Sequence, residues 1–244
     1  MEANALALSA SGLLAAPLGQ LENWRMFWVN LIKTQAIRLL HRSCQGELLL
    51  LRMYFLAESA TVLGISRDVR PLPMPDWLLA INARHLEEEG VHIKLFAEAI
   101  KARGGSLPSA RKLDWLSRFK LGQWVAIAQR YRSRFSWDGL VPAYAIGLCA
   151  EQMALRVLER HGRAISGAHA FRPLLDRVLA DEAQHVETCA DVLLKLVEPG
   201  EMADLHALLA ELRRVDYSWG LVTAIGMFCV ACWCAARGLL ASSR

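Results

Sequence analysis

The sequence predicts an all-α chain built around a four-helix bundle, on three observations. Apolar residues recur at helical spacing and no segment alternates as a strand does, while Leu, Ala, Arg and Glu dominate. Two Glu-x-x-His pairs, Glu89/His92 in "HLEEEGVHIKLF" and Glu182/His185 in "VLADEAQHVET", lie 93 residues apart. One such pair reads as a solvated helix face, since residues three apart sit side by side. Two in helices of similar character read as an internal duplication. Finally, prolines and glycines divide the chain into two helical hairpins joined by a long crossover.

Taken in order, the chain offers a preliminary helix near 19–33 and then a helix from about 36 to 64, ending at Gly64 before the proline-punctuated loop "ISRDVRPLPMP". The next helix begins at Pro75 and Asp76, good first-turn residues, and runs to Gly104 and Gly105. The crossover, about 109–138, carries its own helix around "KLDWLSRFKLGQWVAIAQRYR". A fourth long helix runs from about 140, with Pro142 in its first turn, to His161 and Gly162, and a fifth from Arg172 and Pro173 to before Pro199. The expected organisation is one domain: a leader and helix over 1–34, the bundle over 35–198, and C-terminal helices over 199–244.

From Trp219 to Ala236 stand 18 consecutive uncharged residues, flanked by Arg213, Arg214 and Arg237. That is the lower limit for crossing a bilayer. Spanning, lying in the interface, and packing as an extra apolar helix are all open for the segment 216–241. A hydrophobic content of 54% and a mean hydropathy of +0.24 fit either wide buried faces or contact with lipid. The net charge of +4 without a basic block argues against nucleic acid as a partner. Six cysteines without paired zinc-ribbon motifs read as reduced thiols, and Cys229, Cys232 and Cys234 as small buried hydrophobes. Glu2 stands where an export signal wants Lys or Arg, so a cytoplasmic protein is expected, peripheral to or anchored on the inner face of the membrane.

A dinuclear carboxylate site takes one Glu from each of two helices and a Glu-x-x-His from each of two others. Glu89, His92, Glu182 and His185 supply the second part, and Glu151, among Leu148, Met153 and Leu155, one of the first. The remaining carboxylate is Glu47 or Glu58. Glu58 precedes Glu89 by 31 residues, as Glu151 precedes Glu182. Against this, "GELLLLRM" aligns with "AEQMALRV", placing Arg52 and Arg156 five residues after Glu47 and Glu151, and a helix ending at Gly64 leaves Glu58 close to its end. Repeat match and helix length favour Glu47, with Glu58 as the alternative; a helix continuing past Gly64 toward Arg70 would reverse that order. Glu88 and Asp181, each just before the Glu of a Glu-x-x-His, are placed to accept a spare imidazole N–H. His85 and Tyr54 read first as structural, with Tyr54 also a radical or proton partner.

These motifs resemble the ferritin-like di-iron superfamily, and within it the demethoxyubiquinone hydroxylases, through "GELLLLRMY", "EEEGVHIKLFAEAIKARGGSLPS" and "ADEAQHVET" over roughly 40–197. The resemblance implies a ferritin-like four-helix bundle with a long crossover between its second and third helices, an extra N-terminal helix and an apolar C-terminal one. It implies two iron ions, with manganese as the other ion such donors suit. The expected activity is an oxygen-activating monooxygenase or hydroxylase of a small hydrophobic, quinone-like substrate, with dioxygen and an electron donor as partners and an oligomer compatible. The alternative is a ferritin-like or rubrerythrin-like protein that binds metal or reduces peroxide without an organic substrate.

Overall fold

The computed structural model describes residues 13, 19–109 and 115–242, with side chains to 237. The apolar leader read against export lies outside the described residues except for Leu13, which is buried. Among the described residues the chain is all helical: α1 (Gln20–Leu40), α2 (Cys44–Gly64), α3 (Asp76–Ala102), α4 (Trp115–Tyr131), α5 (Leu140–Ala164), α6 (Arg172–Leu196) and α7 (Met202–Ser242). The hairpin partners α2 and α3 pack together, as do α5 and α6, and α3 meets α6 across the bundle. Helix α4 lies in the crossover, and α7 runs along α1 and also packs on α4 and α5.

Two boundaries differ from the sequence reading. The first helix does not break near 33–36, where "KTQA" holds no breaker; it runs to Leu40, and α2 starts at Cys44. Ser43 sets that start as an N-cap, its hydroxyl accepting from the Gly46 amide at 3.1 Å. Gly46 then passes so close to the end of α1 that a β-carbon would lie 2.2 Å from the Leu40 carbonyl. At its other end α2 does not stop at Gly64, whose backbone stays right-handed helical. Ile65–Val69 continue as a π-helical turn, with the Arg70 amide donating to the Ile65 carbonyl at 2.8 Å, and the effective breaker is Pro71.

Along each bundle helix an apolar stripe is interrupted by polar residues at the same level. On α3 one buried face reads Leu78, Asn82, His85, Glu89, His92, Phe96, Ile100. Leu78 belongs to one apolar cluster, with α4, α5, α6 and the first half of α7, and Phe96 and Ile100 to a second, with α1, α2 and the end of α7. On α6, Leu175 and Val178 precede Glu182 and His185 and belong to the second cluster, whereas Val186 and Cys189 follow into the first. The core is thus two apolar blocks with a polar layer between them.

The apolar tail is the second half of a single 41-residue helix. Leu205, Leu208, Leu209 and Leu212 bury its first half, and Ala224, Ala231 and Cys234 seat the second. Cys229 and Cys232 are exposed, so the buried-hydrophobe reading holds for Cys234 alone. By length and composition, Cys44–Val69 and Pro199–Arg237 are both apolar enough to cross a membrane. The first is a core helix of the bundle. The second leaves Val222, Ile225, Phe228 and Trp233 exposed, and α1 leaves Leu21, Trp24, Phe27 and Leu31 exposed.

Candidate metal centre

The continuation of α2 through Val69 decides which carboxylate enters the polar layer. Glu58 lies eleven residues before Val69 and Glu89 thirteen after Asp76, so the two meet at one level of the hairpin. The other hairpin repeats this, with Glu151 thirteen residues before Ala164 and Glu182 ten after Arg172. Glu58, Glu89, His92 and Glu182 form one group of potential ligands and His85, Glu89, Glu151 and His185 a second, sharing Glu89. Glu47 is not among them. It sits in the first turn of α2, three turns away, and meets His41, Arg103 and His169 instead. The carboxylates that the structure brings together keep the 31-residue spacing, Glu58 to Glu89 and Glu151 to Glu182, and the Gly-Glu-Arg-Tyr text begins outside the layer.

Each histidine of a Glu-x-x-His is held from outside by a carboxylate of the opposite helix. His92 on α3 reaches Asp181 on α6 through Nε2 at 3.0 Å, and His185 on α6 reaches Glu88 on α3 through Nε2 at 3.0 Å. A carboxylate only accepts, so each ring donates from Nε2 and, when neutral, carries its lone pair on Nδ1, pointing inward. There His92 Nδ1 lies 3.8 Å from Glu89 Oε2 and 3.5 Å from Glu182 Oε1; His185 Nδ1 lies 3.2 Å from Glu89 Oε1 and 3.8 Å from Glu182 Oε1. Glu89 and Glu182 therefore each face both imidazoles, with Glu58 grouped on the His92 side and Glu151 on the His185 side.

The inward atoms are those that lack hydrogen-bond partners: both Nδ1 atoms, Glu89 Oε2 and both oxygens of Glu182. Glu89, His92 and Glu182 are 0% exposed. Buried polar groups without partners cost about 1–3 kcal/mol each, and four such side chains converging on one volume fit a shared cationic partner. Metal bonds of about 2.0–2.2 Å separate neighbouring ligand atoms by about 3–3.5 Å, close to the spacing found.

The charges tell the same story. Burial, with repulsion from Glu182 and Glu89, pushes the Glu58 carboxyl well above the usual range. Burial, with Glu151 and Glu89, raises Glu182 to about 11. Burial opposes ionisation of Glu89 as well, but His185, His85 and His92 hold it far below the usual range. Without a cation the four carboxylates cannot all ionise in this layer.

His85, read from sequence as structural, joins the site: its Nε2 lies 3.2 Å from Glu89 Oε1 and 3.4 Å from Glu151 Oε1, and its ring is 4.1 Å from that of His185. Burial works to lower its pKa, but Glu151 and Glu89 outweigh burial and raise it to about 9. The signal was present in the stripe His85, Glu89, His92, spaced four and three. His85 and His185 also line a cavity of about 200 Å3 with Ile81, Arg84, Glu88, Val192 and Lys195, walls that mix charged and apolar side chains.

A third group, His41, Glu47 and His169, is gathered as closely but is already satisfied. Arg103 Nε donates to Glu47 Oε2 at 2.9 Å, and the Phe171 amide donates to His169 Nδ1 at 3.2 Å. The His169 proton therefore stands on Nε2, the atom that faces Glu47, where a metal would need a lone pair. No family model, curated protein or solved structure matches the chain.

Proposed function

We propose that this chain is a ferritin-like di-iron oxidoreductase that activates dioxygen, acting as a hydroxylase of a lipophilic substrate at a membrane surface. One observation carries the reading: inward atoms of histidines and carboxylates without partners, on rings whose outer nitrogens are fixed by Asp181 and Glu88. Imidazoles among carboxylates are donors that suit Fe(II) or Mn(II). Bound iron would supply one-electron steps in pairs and a place for dioxygen. The protein contributes a buried layer between two apolar blocks, imidazoles held in one tautomer, and His85 between Glu151 and the cavity. With Glu47 elsewhere, the resemblance rests on the two Glu-x-x-His motifs and on carboxylates common to the superfamily. The lipophilic substrate is supported by the exposed apolar residues of α1 and α7. An electron donor is required for the hydroxylase reaction.

The charged residues Arg84, Glu88, Asp191 and Lys195 in the cavity at His85 and His185 favour a second reading: a peroxide-reducing or metal-storing protein without organic substrate. The two separate in one experiment. The chain is loaded anaerobically with Fe(II) and exposed to dioxygen or to peroxide, with and without a lipid-soluble quinone. Two irons per chain and oxygen consumption that yields hydroxylated quinone support the hydroxylase; turnover of peroxide alone supports the second reading. One zinc per chain after purification would overturn both.

A further inference from the structure

A second buried polar cluster, at the His41 end of the bundle, forms a single file from the core to a half-buried carboxylate. The Tyr54 hydroxyl lies 2.7 Å from His161 Nδ1, His161 Nε2 lies 2.7 Å from His41 Nε2, and His41 Nδ1 lies 3.1 Å from Glu47 Oε1. The proton positions follow from the Glu47 end. Glu47 is bonded by Arg103 and faces the His169 Nε2–H at 3.6 Å, an arrangement for an ionised acceptor. His41 therefore donates from Nδ1 and accepts at Nε2. His161 must then donate from Nε2 and accept at Nδ1, which leaves Tyr54 as the donor. Every hydrogen bond in the file points toward Glu47.

The groups hold the charge states this order needs. Burial, aided by His41 and His169, lowers His161 to about 3, and burial also lowers His41, so both rings are neutral at ordinary pH. Burial opposes the ionisation of Glu47, but the bonds from Arg103 and His41 hold its carboxyl below the usual range. Tyr54 itself precedes Glu58 by one helical turn, and its ring lies 5.3 Å from that of Phe96, one turn beyond His92. Tyr144 makes the contrast: its hydroxyl donates at 2.6 Å to the Asn82 amide oxygen, which cannot take up a proton.

We propose that Tyr54 is a redox-active tyrosine whose phenolic proton has a built exit, through His161 and His41, to Glu47. The inference deepens the oxidoreductase reading and rests on it for the natural oxidant, an oxidised metal ion of the neighbouring centre acting as a one-electron acceptor. Tyr54 gives one electron to that acceptor as its O–H bond breaks and an N–H bond forms at His161 Nδ1. The His161 Nε2 proton passes to His41 Nε2, and the His41 Nδ1 proton to Glu47. The products are a neutral tyrosyl radical, a protonated Glu47 and an acceptor reduced by one electron; returning the electron reverses every transfer.

The test uses the full chain without metal, photo-oxidised by a ruthenium(III) polypyridyl complex, with ring-deuterated tyrosine to pick out tyrosyl signals by electron paramagnetic resonance. The expected signal is lost in Tyr54→Phe, kept in Tyr144→Phe, and at least tenfold shorter-lived in His161→Gln. A tyrosyl signal unchanged by Tyr54→Phe would overturn the proposal. Nitrogen NMR of the unmutated chain is a second measurement that needs no variant to fold: His161 protonated on Nε2 and His41 on Nδ1 support the exit, and the opposite tautomers overturn it. A Tyr54 radical formed by ruthenium but absent after iron loading and dioxygen would support the proton exit and count against the oxygen-activating centre alone.

Discussion

The polar layer of the bundle and the His41–His161–Tyr54 file are both buried clusters of histidine and glutamate, yet they are built to opposite rules. In the layer, the inward atoms have no partners and two carboxylates are pushed toward the protonated state. In the file, each polar atom has a donor or acceptor and the charges settle near neutral pH without help. Composition does not separate a metal site from a hydrogen-bonded one; the count of unmatched lone pairs does. That contrast can be attacked experimentally, and the first attack has the largest effect. Glu58→Ala or His185→Ala is expected to reduce iron from two per chain to one or none, whereas Glu47→Ala leaves two, by metal analysis after anaerobic loading. Loading lost with Glu47 and kept without Glu58 would exchange the roles of the two clusters.

The pH dependence of stability sharpens the comparison. Glu182 has a folded pKa of about 11 and Glu58 one well above its ordinary value, so the folded chain holds protons that the unfolded chain releases. Their stabilisation is complete below about pH 4.5 and is lost as pH rises. That of His85 is complete below about pH 6.5 and is lost through its folded value of about 9. The metal-free chain should therefore lose stability steadily from pH 6.5 to 9, by about 1 kcal/mol or more per pH unit, in denaturant titrations. The iron-loaded chain should not, because its ligands are deprotonated and binding tightens as pH rises. His161 works on the other side: its depressed value costs stability as pH falls from 6.5 toward 3, and His161→Gln should remove that loss.

Smaller effects test the local geometry. Gly46→Ala forces a β-carbon into the Leu40 carbonyl and should cost about 1–3 kcal/mol while leaving iron at two per chain. Tyr54→Phe leaves His161 Nδ1 without a donor and should cost about 1–2 kcal/mol, again without loss of iron. The mildest change is on the outside. Replacing Trp24, Phe27 and Trp233 by Ser should weaken sedimentation with phospholipid vesicles without altering melting temperature by more than a few degrees, since all three are exposed. Unchanged sedimentation would detach the apolar face from the membrane reading.

Much of the centre was legible because local text encodes it. Glu89, His92, Glu151, Glu182 and His185 follow from helical spacing and a repeat, and their outer partners Glu88 and Asp181 from adjacency. The sequence does not show that Glu58 rather than Glu47 enters the layer, because Gly64 looks like a stop. Its backbone is compatible with a helix, and only the proline at 71 removes a donor from the ladder. The Glu47 motif was real but belonged to the second cluster, where Gly46 allows α2 to touch the end of α1 and brings His41 beside Glu47. The file itself was out of reach: His41, Tyr54, His161 and His169 come from separated segments with no shared period, and only packing brings them together.

The crossed pairing of Glu88 with His185 and Asp181 with His92 bears on the origin of the repeat. Each hairpin carries an acid–Glu-x-x-His text, yet neither can orient its own imidazole; the orienting acid always comes from the other hairpin. Such a reciprocal contact is the signature of a twofold interface, in which residue i of one copy meets j of the other and j meets i. A lone hairpin with this text would have had its binding site only as a symmetric pair, so fusion of two copies would have preserved a working interface while freeing each half to diverge. The cluster at Glu47 breaks that symmetry: Glu47, His41 and Tyr54 come from the first half and His161 and His169 from the second, with no reciprocal contact between them.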